Sequence, residues 1–175
     1  MELSQSKDPF VKEAVRLIDE IPGIGESIAE QVIAEIGIDM GAFPSGRHLS
    51  SWTGLSPGNN ESAGKRKSGK TTKGNAYVRT ALVQAAWAAS HTKNTYLSAQ
   101  YHRLVRRMGK KKALVAVAHS ILVIIYHMIS MRMHFQELGC EYFDRRNQQS
   151  LRNHLTHRLE SLGYKVTLEP IGEAA

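Results

Sequence analysis

Apolar residues along this chain recur mostly at intervals of three and four, the spacing of helices rather than of strands. Val11, Ala14, Val15, Leu17 and Ile18 form the first block, with Asp8 placed as N-cap, Pro9 at the first helical position and Ile21-Pro22 to stop it. Ile28, Ala29, Val32, Ile33 and Ile36 form the second, closed by Gly37. After a connector over 38–44, Ser45 can cap a short helix carrying His48, Leu49 and Trp52 that Gly54 ends. Trp52 is assigned to the core, because large aromatics usually anchor one. Val78, Leu82, Ala85, Ala86 and Ala89 mark a helix from Gly74-Asn75 to about Thr92, and Leu97, Tyr101, Leu104, Val105 and Met108 mark another over Tyr96 to Met108. A long helix is expected through 113–135. Beyond Gly139 the chain turns polar, and Leu151, Leu155, Leu159 and Leu162 stripe a charged helix over 142–162. That stripe is expected to pack within the molecule, with dimerisation as the alternative. Tyr164 to Leu168 is expected as a short strand and 170–175 as a fraying tail. The fold class is all-α, with a helical-pair region over 1–54, a basic loop over 55–74, a helical core over 75–140 and a polar C-terminal helix and tail over 141–175, together one compact domain.

Ala113 to Met131 is long enough to span a bilayer. It contains His119, Ser120, Tyr126, His127 and Ser130 and is flanked by Lys110-Lys111-Lys112 and Arg132, so the buried central helix of an all-α domain accounts for it better, and no membrane partner is expected. His119 and His127 lie about two helical turns apart, too far for the i, i+4 pair of a helical metal site, and read as core or half-buried histidines. Met1 to Val11 has no apolar run and does not read as a signal peptide. The composition of the 175 residues, 42% hydrophobic and 22% charged, is ordinary for a soluble protein. The charge is not, since 23 Lys+Arg against 16 Asp+Glu leave +7, a balance that favours nucleic acid over an anionic membrane surface. Cys140 is the one cysteine, so there is no disulfide framework or Cys-based zinc site, and a cytoplasmic location is expected.

Pro22-Gly23-Ile24-Gly25, set between two short helices, resembles the helix-hairpin-helix module of many DNA repair and recombination proteins. The glycines let the backbone turn tightly and approach another backbone, so N–H groups of the hairpin and the following helix can point at one phosphate. Contacts of that kind hold DNA without reading its sequence. A plain helical hairpin with a glycine turn is the bland alternative.

From Glu61 to Asn75 the chain reads Glu-Ser-Ala-Gly-Lys-Arg-Lys-Ser-Gly-Lys-Thr-Thr-Lys-Gly-Asn. Small, hydroxylated and cationic residues offer nothing to bury, so this segment belongs on the surface. A serine attacks phosphate only when it is held in line and the developing charge is offset. Ser62-Ala63-Gly64-Lys65 has a hydroxyl, two small residues that admit a phosphodiester, and a flank of Lys65, Arg66, Lys67 and Lys70, but no evident general base. It is not a Walker A sequence. A serine that merely holds phosphate is the alternative. Arg79 sits near the start of the next helix, where the dipole does not favour a cation, and a bound anion there would remove the conflict. Arg103, Arg106, Arg107 and Lys110 to Lys112 form a second cationic cluster, either a solvated face or a second phosphate-facing surface.

Pro22-Gly-Ile-Gly25, then Phe43 to Gly54-Leu55-Ser56-Pro57, then Ser62-Ala-Gly-Lys65, Lys73-Gly74-Asn75 and Arg79 before an alanine- and leucine-rich helix, resemble in this order the C-terminal domain of bacterial insertion-sequence transposases related to the Piv DNA invertases. The likeness runs from about 15 to 135. It implies a serine nucleophile, which by motif falls on Ser62, and DNA-binding roles for Pro22, Gly23, Ile24, Gly25, Lys65, Arg66, Lys67, Lys70, Lys73 and Arg79. It also implies a RuvC-like domain whose acidic residues bind a divalent metal such as Mg, a guide RNA, and homo-oligomeric assembly. The chain shows no strand-rich acidic half of that kind, so no cofactor is expected in it, and alone it is expected to bind nucleic acid without completing recombination. The runners-up are a non-enzymatic helix-hairpin-helix module and an RNA-binding module. Family sequences often read Ser-Gly-Gly-Lys where this chain has Ala63, which lacks glycine's freedom at positive φ.

Overall fold

Asp8 opens the first helix by accepting the Phe10 amide on its side chain at 2.9 Å, and Pro9 occupies the first turn, where its missing N–H costs nothing. The computed structural model describes residues 8–58 and 60–169, without the side chains of 60–62 and 66–68. Helix α1 (Pro9–Asp19) buries Ala14, Val15, Leu17 and Ile18, and α2 (Glu26–Ile36) buries Ala29, Val32, Ile33 and Ile36 before Gly37 ends it at φ 72°. A short 3-10 turn (Met40–Ala42) leads to α3 (Gly46–Trp52). An antiparallel hairpin, β1 (Asn60–Ser62) and β2 (Lys65–Ser68), precedes α4 (Ala76–His91), α5 (Tyr96–Met108) and α6 (Lys110–Met131). The fold is all-α as expected, with that one two-stranded exception among the described residues.

Helix α6 is the axis of the core. It packs against α4, α5, α3, α1 and the 3-10 turn, and Val117, Ala118, Ile121, Leu122 and Ile125 are fully buried. By length and composition it could cross a membrane, and one side of it is buried against its helical neighbours. The alanines of α4 (Ala81, Ala85, Ala86 and Ala89, all buried) keep that helix slim, so neighbouring backbones come close. Helix α6 stops at Met131 instead of running to 135. Arg132 adopts the left-handed conformation (φ 50°, ψ 49°) and lays its guanidinium 5.0 Å from the Phe10 ring centroid. The following segment is tied to α1 by Glu20, whose two carboxylate oxygens accept His134 Nδ1 at 2.7 Å and the Phe135 amide at 3.0 Å.

The chain divides into two compact units, Met1–Cys140 and Glu141–Ala175. The second holds α7 (Tyr142–Arg146) and α8 (Gln148–Ser161), neither with a buried residue. Leu151, Leu155, Leu159 and Leu162 are exposed, and residues 164–168 form no strand. Trp52, assigned to the core, is 42% exposed and packs its ring against Phe43. Helix α3 is too short to bury more than one side, and Leu49 and Ser50 take that side.

Candidate nucleic-acid interface

The basic segment is a β-hairpin, not an open loop. Glu61 pairs with Arg66 and Ser62 with Lys65, leaving Ala63 (φ 51°) and Gly64 (φ 72°) as a two-residue turn with positive φ at both positions. That is the turn whose twist matches paired strands. The register then slips so that Asn60 faces Ser68, which makes Lys67 the extra residue of a bulge. The strands are polar throughout, so no apolar alternation announces them in the sequence.

Glycine contacts lock the root of this arm. A Cβ on Gly74 would stand 2.1 Å from the Gly54 nitrogen, and one on Gly54, itself at φ 71°, 2.6 Å from the Gly74 nitrogen. The Asn75 amide donates to Trp52 O at 3.2 Å, the Gly58 amide donates to Lys70 O at 3.1 Å, and Pro57 bridges Thr71. The strand ends are thereby fixed to the C-terminus of α3 and the N-terminus of α4.

Ser62 stands at the last position of β1, directly before the turn, and Lys65 directly after it. The side chains of Ser62, Arg66 and Lys67 lie outside the described residues, so backbone alone places them. Lys65, Lys70, Lys73 and Arg79 are exposed. The start of α4 is capped from within the chain. Asn75 Oδ1 accepts the amides of Tyr77 (2.9 Å) and Val78 (3.1 Å), and Asn75 Nδ2 donates to Glu35 Oε2 at 2.7 Å. Glu35 thus supplies the negative charge that the helix dipole favours.

Residues 22–25 do two different jobs. Gly23, at φ 90°, is pressed against α4: a Cβ there would meet the Ala89 nitrogen at 2.4 Å and the Ala85 oxygen at 2.5 Å. Ile24 is buried and its amide bonds Ile21 O at 2.9 Å, while Pro22 is half-buried. Gly25 is exposed with open space around its Cα, and Glu26 and Ser27 follow it exposed at the uncapped start of α2. The structure does not gather all the sequence candidates together. Gly25 and Glu35, which anchors the arm's root through Asn75, stand at opposite ends of α2, about 15 Å apart at 1.5 Å per residue.

Sequence reasoning missed Tyr77 (78% exposed) and Trp87 (60% exposed), because an aromatic on a helix reads as core until its face is known. The second cationic cluster falls at the junction of α5 and α6. Arg106 and Arg107 suit the C-terminus of α5, whereas Lys110, Lys111 and Lys112 open α6 against its dipole behind Gly109, which offers no side-chain cap. His119 is half-buried and burial lowers its pKa, while His127 is exposed. Among the described residues there is no group of three or more His, Cys, Asp or Glu that could hold a metal ion.

A family model described as "Transposase IS116/IS110/IS902 family" matches residues 15–103, which takes in the end of α1, all of α2 and α3, the basic hairpin, α4 and part of α5. The chain is 27% identical over 136 residues to the pilin gene-inverting protein of Moraxella bovis, an overlap of 74% of this chain and 41% of that protein. The pilin gene-inverting protein of Moraxella lacunata is similar to the same extent. The chain therefore spans about two-fifths of the length of the curated relatives it matches.

Proposed function

Since the chain belongs to the IS116/IS110/IS902 transposase family, we propose that it is the part of an insertion-sequence transposase or site-specific recombinase that grips DNA and supplies a serine nucleophile for strand exchange. The observation that carries this reading is the basic hairpin, rooted on the Gly54–Gly74 lock and turning immediately after Ser62. In this reading the Ser62 hydroxyl attacks a phosphodiester, a phosphoserine ester forms, and a deoxyribose hydroxyl leaves. Lys65, Arg66, Lys67 and Lys70 offset the charge that develops on the non-bridging oxygens. Gly25 and the open start of α2 hold a separate phosphate as the DNA-facing part of a helix-hairpin-helix, while Gly23 and Ile24 set the angle of the turn. Lys73 and Arg79 continue the cationic path from the arm onto α4.

The remaining parts of the reaction fall to partners: a RuvC-like domain with its metal, further copies of the chain, and a guide RNA. The cationic junction of α5 and α6 is the surface we assign to that second nucleic acid, since three lysines at a helix N-terminus cost stability unless a polyanion compensates. Reconstitution with a RuvC-like domain and a suicide DNA substrate tests the central claim. A covalent protein–DNA adduct should form with Ser62 and vanish in Ser62→Ala, with duplex affinity retained within about threefold. An adduct that persists in Ser62→Ala would overturn the assignment and leave a phosphate-holding module.

A further inference from the structure

Helices α2 and α4 enclose a groove of about 690 Å3 that no step of the strand-exchange reading uses. On α4 it is lined by Tyr77, Thr80 and Gln84, and on α2 by Gln31 and Glu35. Those spacings of three and four put each set on one helical face. Ala34 and Ala81 give the lining a flat apolar component. Tyr77 is 78% exposed and stands two residues after Asn75, which caps α4 and closes the basic arm. A lone exposed tyrosine is ordinary. Here it borders a groove that offers two carboxamides, a hydroxyl and a carboxylate, with no lysine or arginine in the lining.

We propose that this groove receives an unstacked nucleobase, with the base on the Tyr77 ring and its hydrogen-bonding edge met by Gln31, Gln84 and Glu35. This rests on the reading of the chain as a nucleic-acid-binding domain. Each carboxamide both donates and accepts, which suits the mixed edge of a base, and the Glu35 carboxylate accepts from an exocyclic amino group. Asn75 Nδ2 holds that carboxylate in place at 2.7 Å. A phosphate would meet Glu35 with no cation in the lining, and an aliphatic side chain would cover the carboxamides without pairing them. A neutral heterocycle with donors and acceptors on its edge satisfies both constraints. Its own phosphates then lie toward Lys73 and Arg79, the exposed cations that bracket Tyr77 in the chain. A base stacked inside a duplex cannot reach such a groove, so the ligand is a single-stranded, mismatched or extruded nucleotide.

The test compares dissociation constants of the full chain for two DNA probes at one salt concentration: a perfect duplex, and the same duplex with one extrahelical nucleotide. The wild-type chain should prefer the second probe. Tyr77→Ala should lose that preference by roughly 5- to 150-fold, the range for one base–aromatic stack, with perfect-duplex affinity unchanged. Tyr77→Phe, which keeps the ring, should retain most of it, and Gln31→Ala should change which extrahelical base is preferred. Equal affinity of the wild type for both probes, or a preference that survives Tyr77→Ala, would overturn the groove proposal and leave the nucleic-acid reading standing. Failure to bind either probe more tightly than a charge-matched polyanion would sink both.

Discussion

At the scale of single residues, the two glycines of the α1–α2 turn part company. A methyl group on Gly23 would collide with the Ala85 and Ala89 backbone at a positive φ, so Gly23→Ala should cost about 2–5 kcal/mol and lower the melting temperature sharply. Gly25 has open space and an ordinary φ of −116°, so Gly25→Ala should cost under about 1 kcal/mol while weakening duplex binding. A turn that serves only internal packing would show the first effect without the second. Ala63 carries the opposite lesson, being an L-residue at φ 51° in the turn beside Ser62. Glycine there removes about 1–2 kcal/mol of strain and gives back about 0.4–1 through the unfolded chain, so Ala63→Gly should raise amide-exchange protection across the hairpin. His119 sets a pH dependence. Burial lowers its pKa from the ordinary 6.5, so the unfolded chain takes up a proton first as pH falls, and stability drops from about pH 6.5 downward until the folded ring also protonates. Melting curves across that window should decline for the wild type and flatten in His119→Gln.

At the scale of elements, Asn75 joins the arm to the core, because one side chain caps α4 and also fastens α2 through Glu35. Asn75→Ala should cost about 1–2 kcal/mol, measurable in urea titrations, with added exchange at the root of the hairpin. Glu20 plays a similar part for the segment after α6. Its pKa is lowered, first by the hydrogen bond from His134 and then by the Phe135 amide, so its contribution is present above the ordinary carboxylate value of 4.5 and fades as pH falls through the lower folded value. Most helices were legible in the sequence because capping residues punctuate each short apolar block, as Asp8, Gly37 and Asn75 do. The hairpin was not, since its strands bury nothing and only its positive-φ turn defines it. The end of α6 was missed for a related reason: Met133 and Phe135 prolong the apolar spacing, and the helix ends where Arg132 finds Phe10. The candidate site was half legible, because the sequence supplies its charge and its glycines but not which of them face the core.

At the scale of the whole molecule, the buried cluster lies between Ala14 and Ile129, and the polar unit from Glu141 onward buries no helical residue. Folding and charge can therefore be probed separately, because the exposed cations of the arm add little to the core. The formal charge of +7 says that a polyanion is attracted, but not where it lies. Salt dependence locates it. Each phosphate neutralised on duplex DNA contributes about 0.9 to the slope of log affinity against log salt. If the arm lies along the backbone, changing Lys65, Lys70 and Lys73 together to alanine should lower that slope by roughly 2–3 and leave the melting temperature alone. The matching change of Lys110, Lys111 and Lys112 should spare duplex DNA and lower the slope for structured RNA. A slope for duplex DNA that responds equally to both triple changes would mean that DNA is held by charge density at large, and the arm would lose its claim to a specific place on the backbone.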